Sequence, residues 1–261
     1  MAQLIKLQDY ISRYEQEIYK YPTRYLSLKN RQWQAMNEKW EKRNSAHGTD
    51  HSIEKRKQLF LDRLFPLQLK WASSTVARKS FIDGMYKNDE MLKFFLQRFP
   101  DTFLIMYRPV FLLKKAMMEG EIIFLTPTAI WCIKVIEQEN DDVFIGSKAR
   151  FWIVKKQNGD GTEINPLPSL ERTGAIVKTL MERHDIDLPV HQVILTRNGY
   201  IDYSLSPFGI ELIDKRNYEE WFKGMRSQRS PLKHAQLKAA KCLLQLCLTT
   251  SVKRPEWSER F

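Results

Sequence analysis

With 43% hydrophobic and 12% aromatic residues, this chain of 261 residues can bury a substantial core, and it carries no long low-complexity tract. Its net charge of +11 is uneven: residues 1–100 hold 19 Lys and Arg against 11 Asp and Glu, residues 101–221 hold 14 against 18, and residues 222–261 hold 9 against 2. No stretch approaches the roughly 18 apolar residues that span a bilayer, the N-terminus lacks the basic-then-apolar order of a signal peptide, and Cys132, Cys242 and Cys247 lack zinc or redox spacing, so the expectation is a cytoplasmic protein with reduced thiols and no membrane contact.

Leu4, Leu7, Ile11, Tyr14 and Ile18 are spaced 3, 4, 3, 4. This spacing predicts an amphipathic helix over 2–20 with a heptad seam. Pro22 interrupts it, and Tyr25, Leu28, Trp33, Met36 and Trp40 predict a second helix over 23–44. A seam this short does not persist alone, so it packs on the protein's own body, on a second copy or on a partner protein. Residues 44–52 read as a polar loop, with Asp50 or Ser52 as a helix N-cap. His47 and His51 would suit a metal only on a helix, and Gly48 argues against one there. Helical patterns follow over 53–84, bent or divided at Pro66, and over 88–98, stopping before Pro100.

Strands are predicted near 103–113, 121–126, 130–138 and 149–156. The run 157–161 is a turn, and Gly159 and Gly161 lack the strand-to-helix placement of a phosphate loop. A helix over 168–183 and a strand over 190–196 come next. Asn198-Gly199 reads as a hairpin turn into 200–204. Two amphipathic helices, 217–228 and 232–248, precede a basic tail at Lys253 and Arg254. No internal repeat is visible.

The segment from Glu121 to Glu137 reads Glu-Ile-Ile-Phe-Leu-Thr-Pro-Thr-Ala-Ile-Trp-Cys-Ile-Lys-Val-Ile-Glu. Two apolar strands meet at a turn containing Pro127, with an acid at the mouth of the first. Downstream come Phe151-Trp152 and Asn165-Pro166-Leu167. Together these resemble the nuclease-related domain family (NERD), whose pattern is roughly Asp, an apolar run, Thr-Pro-x-Gly, a second apolar run, then Glu-x-Lys. The resemblance covers about residues 103–203. It implies an α/β fold with a restriction-endonuclease-like mixed sheet flanked by helices. In that family carboxylates on adjacent strands bind Mg²⁺ or Mn²⁺, and the lysine orients the water that attacks a phosphodiester.

Alignment on Thr126 and Pro127 puts Glu121 at the family's Asp, Lys134 at its Glu and Ile136 at its Lys. Where many members have a Gln, this chain has Ser169 and Leu170. Alternate residues share a strand face, so Ile130, Cys132, Lys134 and Ile136 lie together, and Trp131, Ile133, Val135, Glu137 and Glu139 lie on the other side. An ammonium beside a lone carboxylate forms an ion pair and repels a divalent cation. The alternative is an active nuclease that uses Glu121, supplemented by Glu119, with Glu137 or Glu139. It needs a slip of three residues, which turns the strand over unless a bulge absorbs it. The plainer account of Glu137, Glu139, Asp141 and Asp142 is a solvated strand end. His184, His191 and His234 have no partner for catalysis and read as surface residues.

The expected organisation is a helical N-terminal region (1–100), a nuclease-related core (101–214) and C-terminal helices with a basic tail (215–261). The expected function is non-catalytic binding of DNA, RNA or a protein partner, without metal or cofactor. The alternatives are a Mg- or Mn-dependent nuclease and a structural protein self-associating through the 4–18 seam. Basic surface attracts polyanions by phosphate contact and counterion release. The candidate contacts are Lys39, Lys42, Arg43, Lys55, Arg56 and Lys57 on one flank. On the other they are Lys233, Lys238, Lys241, Lys253 and Arg254. The competing account is that these residues keep a helical surface soluble.

Overall fold

The central sheet draws its strands from distant parts of the chain. In spatial order they are β1 (Gln3–Leu7), β3 (Leu104–Tyr107), β6 (Ile122–Leu125), β7 (Ile130–Val135), β11 (Val190–Leu195) and β13 (Glu211–Ile213). β1 runs parallel to β3, while β3, β6 and β7 form an antiparallel meander. β7, β11 and β13 are mutually parallel. This computed structural model describes residues 1–47, 52–114, 116–138, 141–157, 159–204, 207–228 and 230–254, with 43–47 described as helix backbone.

Helices cover both sheet faces, which is why β3 and β6 are unbroken apolar runs without alternation. On one face Leu104, Met106, Ile123, Leu125 and Cys132 pack with α5 (Leu167–Arg183) and α7 (His234–Leu246). On the other, Ile105, Tyr107, Phe124, Ile133 and Val193 pack with α3 (Ile53–Trp71), α4 (Glu90–Arg98) and α6 (Tyr218–Ser227). The β6–β7 turn is set by buried Thr126. Its hydroxyl accepts from the backbone N–H of Ala129 at 3.0 Å and its own N–H donates to Ala129 O at 2.9 Å. α5 joins the parallel strands β7 and β11, and the fold is mixed α/β.

The N-terminal helix expected over 2–20 is corrected. Residues 3–7 are a sheet strand, and helix is confined there to α1 (Arg13–Gln16). Leu4, Leu7, Ile11, Tyr14 and Ile18 are all buried in the protein's own core, so the seam offers no apolar face to a second copy. The 3-4 spacing misleads because β1 is covered on both faces, which erases the period of two. Gln68 of α3 closes the exposed edge of β1. Its side chain accepts from Leu4 N at 3.0 Å and donates to Ala2 O at 2.7 Å. The region expected to be a helical arm therefore supplies an edge of the central sheet.

α2 (Tyr21–His47) and α3 pack side by side through Met36 and Phe60. α3 runs through Pro66 but stops at Trp71, short of the expected 84. Ser74 and Thr75 then hydrogen-bond nearby backbone and compete with helix. β2 (Arg78–Lys79) follows and pairs with β14 (Val252–Lys253). The strand expected over 103–113 breaks at Arg108, where φ is +48°. Past it, β4 (Val110–Leu113) and β5 (Ala116–Glu119) form a separate hairpin.

A second sheet has the order β10 (Gly161–Ile164), β9 (Phe151–Lys155), β8 (Val143–Ile145), β12 (Tyr200–Asp202). The Asn198-Gly199 hairpin is corrected too. β12 leaves the central sheet and pairs parallel to β8. A Cβ on Gly199 would lie 2.7 Å from Asp142 O, so glycine is there for close backbone approach. Among the described residues no helix is long and apolar enough to cross a membrane.

Candidate functional site

Glu121 stands just ahead of β6, held by α5. Its N–H donates to Thr173 Oγ1 at 3.0 Å, and that hydroxyl donates to Ser169 O at 3.0 Å. The pairing of Ile122 with Ile133 carries Glu121 opposite Lys134. Lys134 Nζ lies 2.9 Å from Glu121 Oε1, with the two side chains 29% and 12% exposed. The pair faces α5. Cys132 neighbours it, and burial pushes that thiol up to about 12, with Lys178 opposing and Glu121 adding to the shift. Gln192 pairs in register with Cys132 and leaves its buried Oε1 without a hydrogen bond.

Glu137 lies on the opposite side of the sheet. Arg197 grips it with Nε and Nη2, at 2.8 and 2.6 Å, and the Arg197 N–H adds a third bond. The guanidinium sits 4.3 Å from the Phe94 ring of α4. Burial opposes its charge, but the carboxylate outweighs burial and holds Arg197 above its ordinary range. The fold thus brings Glu121 to Lys134 and keeps it from Glu137. Glu119 belongs to the β4–β5 hairpin, opposite Val110. Glu139 lies outside the described residues. Ile136, at the family's lysine position, is 2% exposed in the core. Among the described residues no three of His, Cys, Asp and Glu cluster as metal ligands. One carboxylate neutralised by one ammonium has little to offer a divalent cation.

The basic candidates divide among separate places. Lys39 and Lys42 on α2, with Lys55 and Lys57 on α3, are exposed near the tip of the α2–α3 hairpin. Arg56 stacks 5.9 Å from the Trp40 ring centre. The side chains of Arg43 and His47, and all of Asp50 and His51, lie outside the described residues. Lys233 is exposed at the start of α7. Lys238 is engaged within the fold, where its Nζ donates to His184 O at 2.6 Å and caps the C-terminus of α5. Lys241 rests 5.8 Å from the Tyr19 ring. Lys253 faces Arg78 across β14 and β2, and the N–H of half-buried Arg254 donates to Ala77 O. His191 stacks 4.1 Å from Trp131, and His234 stacks 5.7 Å from Tyr19.

Sequence reasoning missed Thr173 and Arg197. Arg197 gave no local signal, because it meets Glu137 only through the parallel pairing of β7 and β11.

No described protein family matches the chain, and no solved structure matches it. Among curated proteins it is similar to an RNA 2',3'-cyclic phosphodiesterase from Geobacillus stearothermophilus, with 38% identity over 63 residues. That stretch is 24% of this chain and 20% of the length of that protein.

Proposed function

We propose that this protein is a nuclease-related domain of restriction-endonuclease-like architecture whose hydrolytic centre is blocked, and that it binds nucleic acid through basic surface. The element order α4, β3, β6, β7, α5, β11 supports the architecture: a helix, a three-stranded meander, a crossover helix and a parallel strand. The observation that carries the reading is the Lys134–Glu121 ion pair at the position where the family resemblance expects two carboxylates. The ammonium takes the place of metal charge beside Glu121. The excess of cations in residues 1–100 and 222–261 supplies phosphate contacts without metal. The short similarity to an RNA phosphodiesterase makes RNA the first ligand to test.

Calorimetry with Mn²⁺ and an oligoribonucleotide cleavage assay test this. The protein is expected to take up RNA in the presence of EDTA, less so as salt rises, and to leave it uncut with Mn²⁺. Lys134→Glu is expected to gain heat of Mn²⁺ binding. Mn²⁺-dependent cleavage that disappears in Glu121→Gln would overturn the blocked-centre reading.

A further inference from the structure

Between α2 and α3 runs an open groove. One cavity of about 370 Å³ is lined by Gln32, Ala35, Met36, Lys39, Phe60 and Arg63. A second, of about 450 Å³, shares Met36, Lys39 and Arg63 and extends to Trp40 and Lys42. Among the described residues no carboxylate lines either one. The helical period explains this. Residues 32, 35, 36 and 39 form one stripe, and Glu38 and Glu41 fall on other sides of α2. Asp62 of α3 is turned away, 2.8 Å from Lys93 and bonded to Gln58 and Gln97.

The rim cations are available. Among the described residues no carboxylate comes within ion-pair distance of Lys39, Lys42 or Arg63. Arg63 gives one N–H to Met36 Sδ at 3.5 Å. A thioether is a weak acceptor and takes one of five donors. The floor is apolar and aromatic: Phe60 lies against Trp33 at 5.0 Å, and Trp33 against Trp40 at 6.2 Å.

We infer that this groove binds single-stranded nucleic acid, with Lys39, Lys42 and Arg63 on phosphates and a base against Met36 and Trp40. The inference rests on the proposed nucleic-acid function and adds where and in what form the ligand binds. A rim whose described residues carry cations and no carboxylate is complementary to a polyanion. A thioether and aromatic floor is complementary to the faces of bases, which a single strand exposes and a duplex hides inside its stack.

The test is fluorescence anisotropy with a labelled oligouridylate on the full chain, over a range of salt. The double variant Lys39→Glu/Arg63→Glu is compared with a charge-matched control at exposed sites elsewhere, Lys148→Glu/Lys223→Glu. The groove variant is expected to weaken binding about tenfold or more and to flatten the slope of log K against log salt by about 1.4, two phosphate contacts' worth. The control should change both less, and thermal melts should show all forms folded. If the unaltered protein binds the oligonucleotide and the groove variant binds it equally well, the inference fails and the proposed function stands. If the unaltered protein binds no oligonucleotide at low salt, both fail. Tighter binding of the same sequence as a duplex, or equal competition by polyglutamate, overturns the single-strand assignment.

Discussion

Lys134 and Arg197 each answer a carboxylate near the strand pair, one on either face of the central sheet. They do so differently. Lysine brings a compact charge to one oxygen of Glu121, whereas arginine matches both oxygens of Glu137 with a planar fork. Removing the fork leaves a carboxylate only 13% exposed with one backbone N–H for company. Arg197→Ala is therefore expected to cost about 2 kcal/mol, the typical worth of hydrogen bonds to a charged group. Arg197→Lys should recover only part of it. Urea unfolding midpoints check both; an unchanged midpoint for Arg197→Ala would mean the pair is only a surface contact. Residue order displayed the candidate site only in part. Glu121 and Lys134 could be aligned from the Thr126-Pro127 turn, and the register sets them opposite each other. Glu137 could not be assigned a partner, because Arg197 is 60 residues away and only the fold brings it near. Ile136 lies among core residues that include Phe144 and Trp152. A lysine there would bury an ammonium, so Lys134→Glu alone is the cleaner probe of metal binding.

At the scale of elements, legibility followed exposure. β9 alternates between buried and exposed positions, and its period of two shows in the sequence. β6 and β7 were legible as apolar runs joined by a turn residue. β1 was not, because a short strand buried on both faces has no period to read. Glycines divide in the same way between those the packing requires and those it does not. A Cβ on Gly146 would stand 1.9 Å from Tyr203 Cδ2, on a ring that packs 5.6 Å from Trp152. Gly224 of α6 has nothing within 4 Å. Gly146→Ala is expected to destabilise by about 1–3 kcal/mol through overpacking, and Gly224→Ala to stabilise by up to about 1 kcal/mol through helix propensity. Thermal melts of the two variants should move in opposite directions; a rise for Gly146→Ala would show that Tyr203 yields freely.

For the molecule as a whole, the charge division survives but the notion of appended arms does not. Residues 101–221 carry a net −4, and the flanks carry +8 and +7. Yet β1 closes the central sheet, and α7 packs on it through Ala239, Ala240 and Leu243. Cutting the chain to 101–221 would remove both, so charge reversal is the sound way to find the basic surface. Buried tyrosines give the whole fold a pH limit. Burial pushes Tyr86 and Tyr218 from 10.0 up to about 12. The neutral phenol is the folded form, so this contribution is intact below pH 10 and is lost as pH rises toward 12. Alkaline titration is expected to show late tyrosinate absorbance together with loss of ellipticity. Full tyrosine ionisation near pH 10 with the circular dichroism unchanged would refute this.

Residues 6–10 are tied to residues 249–250. Thr250 N donates to Asp9 O at 2.7 Å, Lys6 Nζ donates to Thr249 Oγ1 at 2.8 Å, and β14 pairs with β2. β1 precedes its neighbour β3 by about 100 residues in the chain and must wait for it, which at about 5–20 residues per second is a delay of roughly 5–20 s. Until then its apolar side chains have no sheet to enter. Tyr10 and Thr250 bridge segments far apart in the chain, so loop-closure entropy makes this contact slow to form beside local ones.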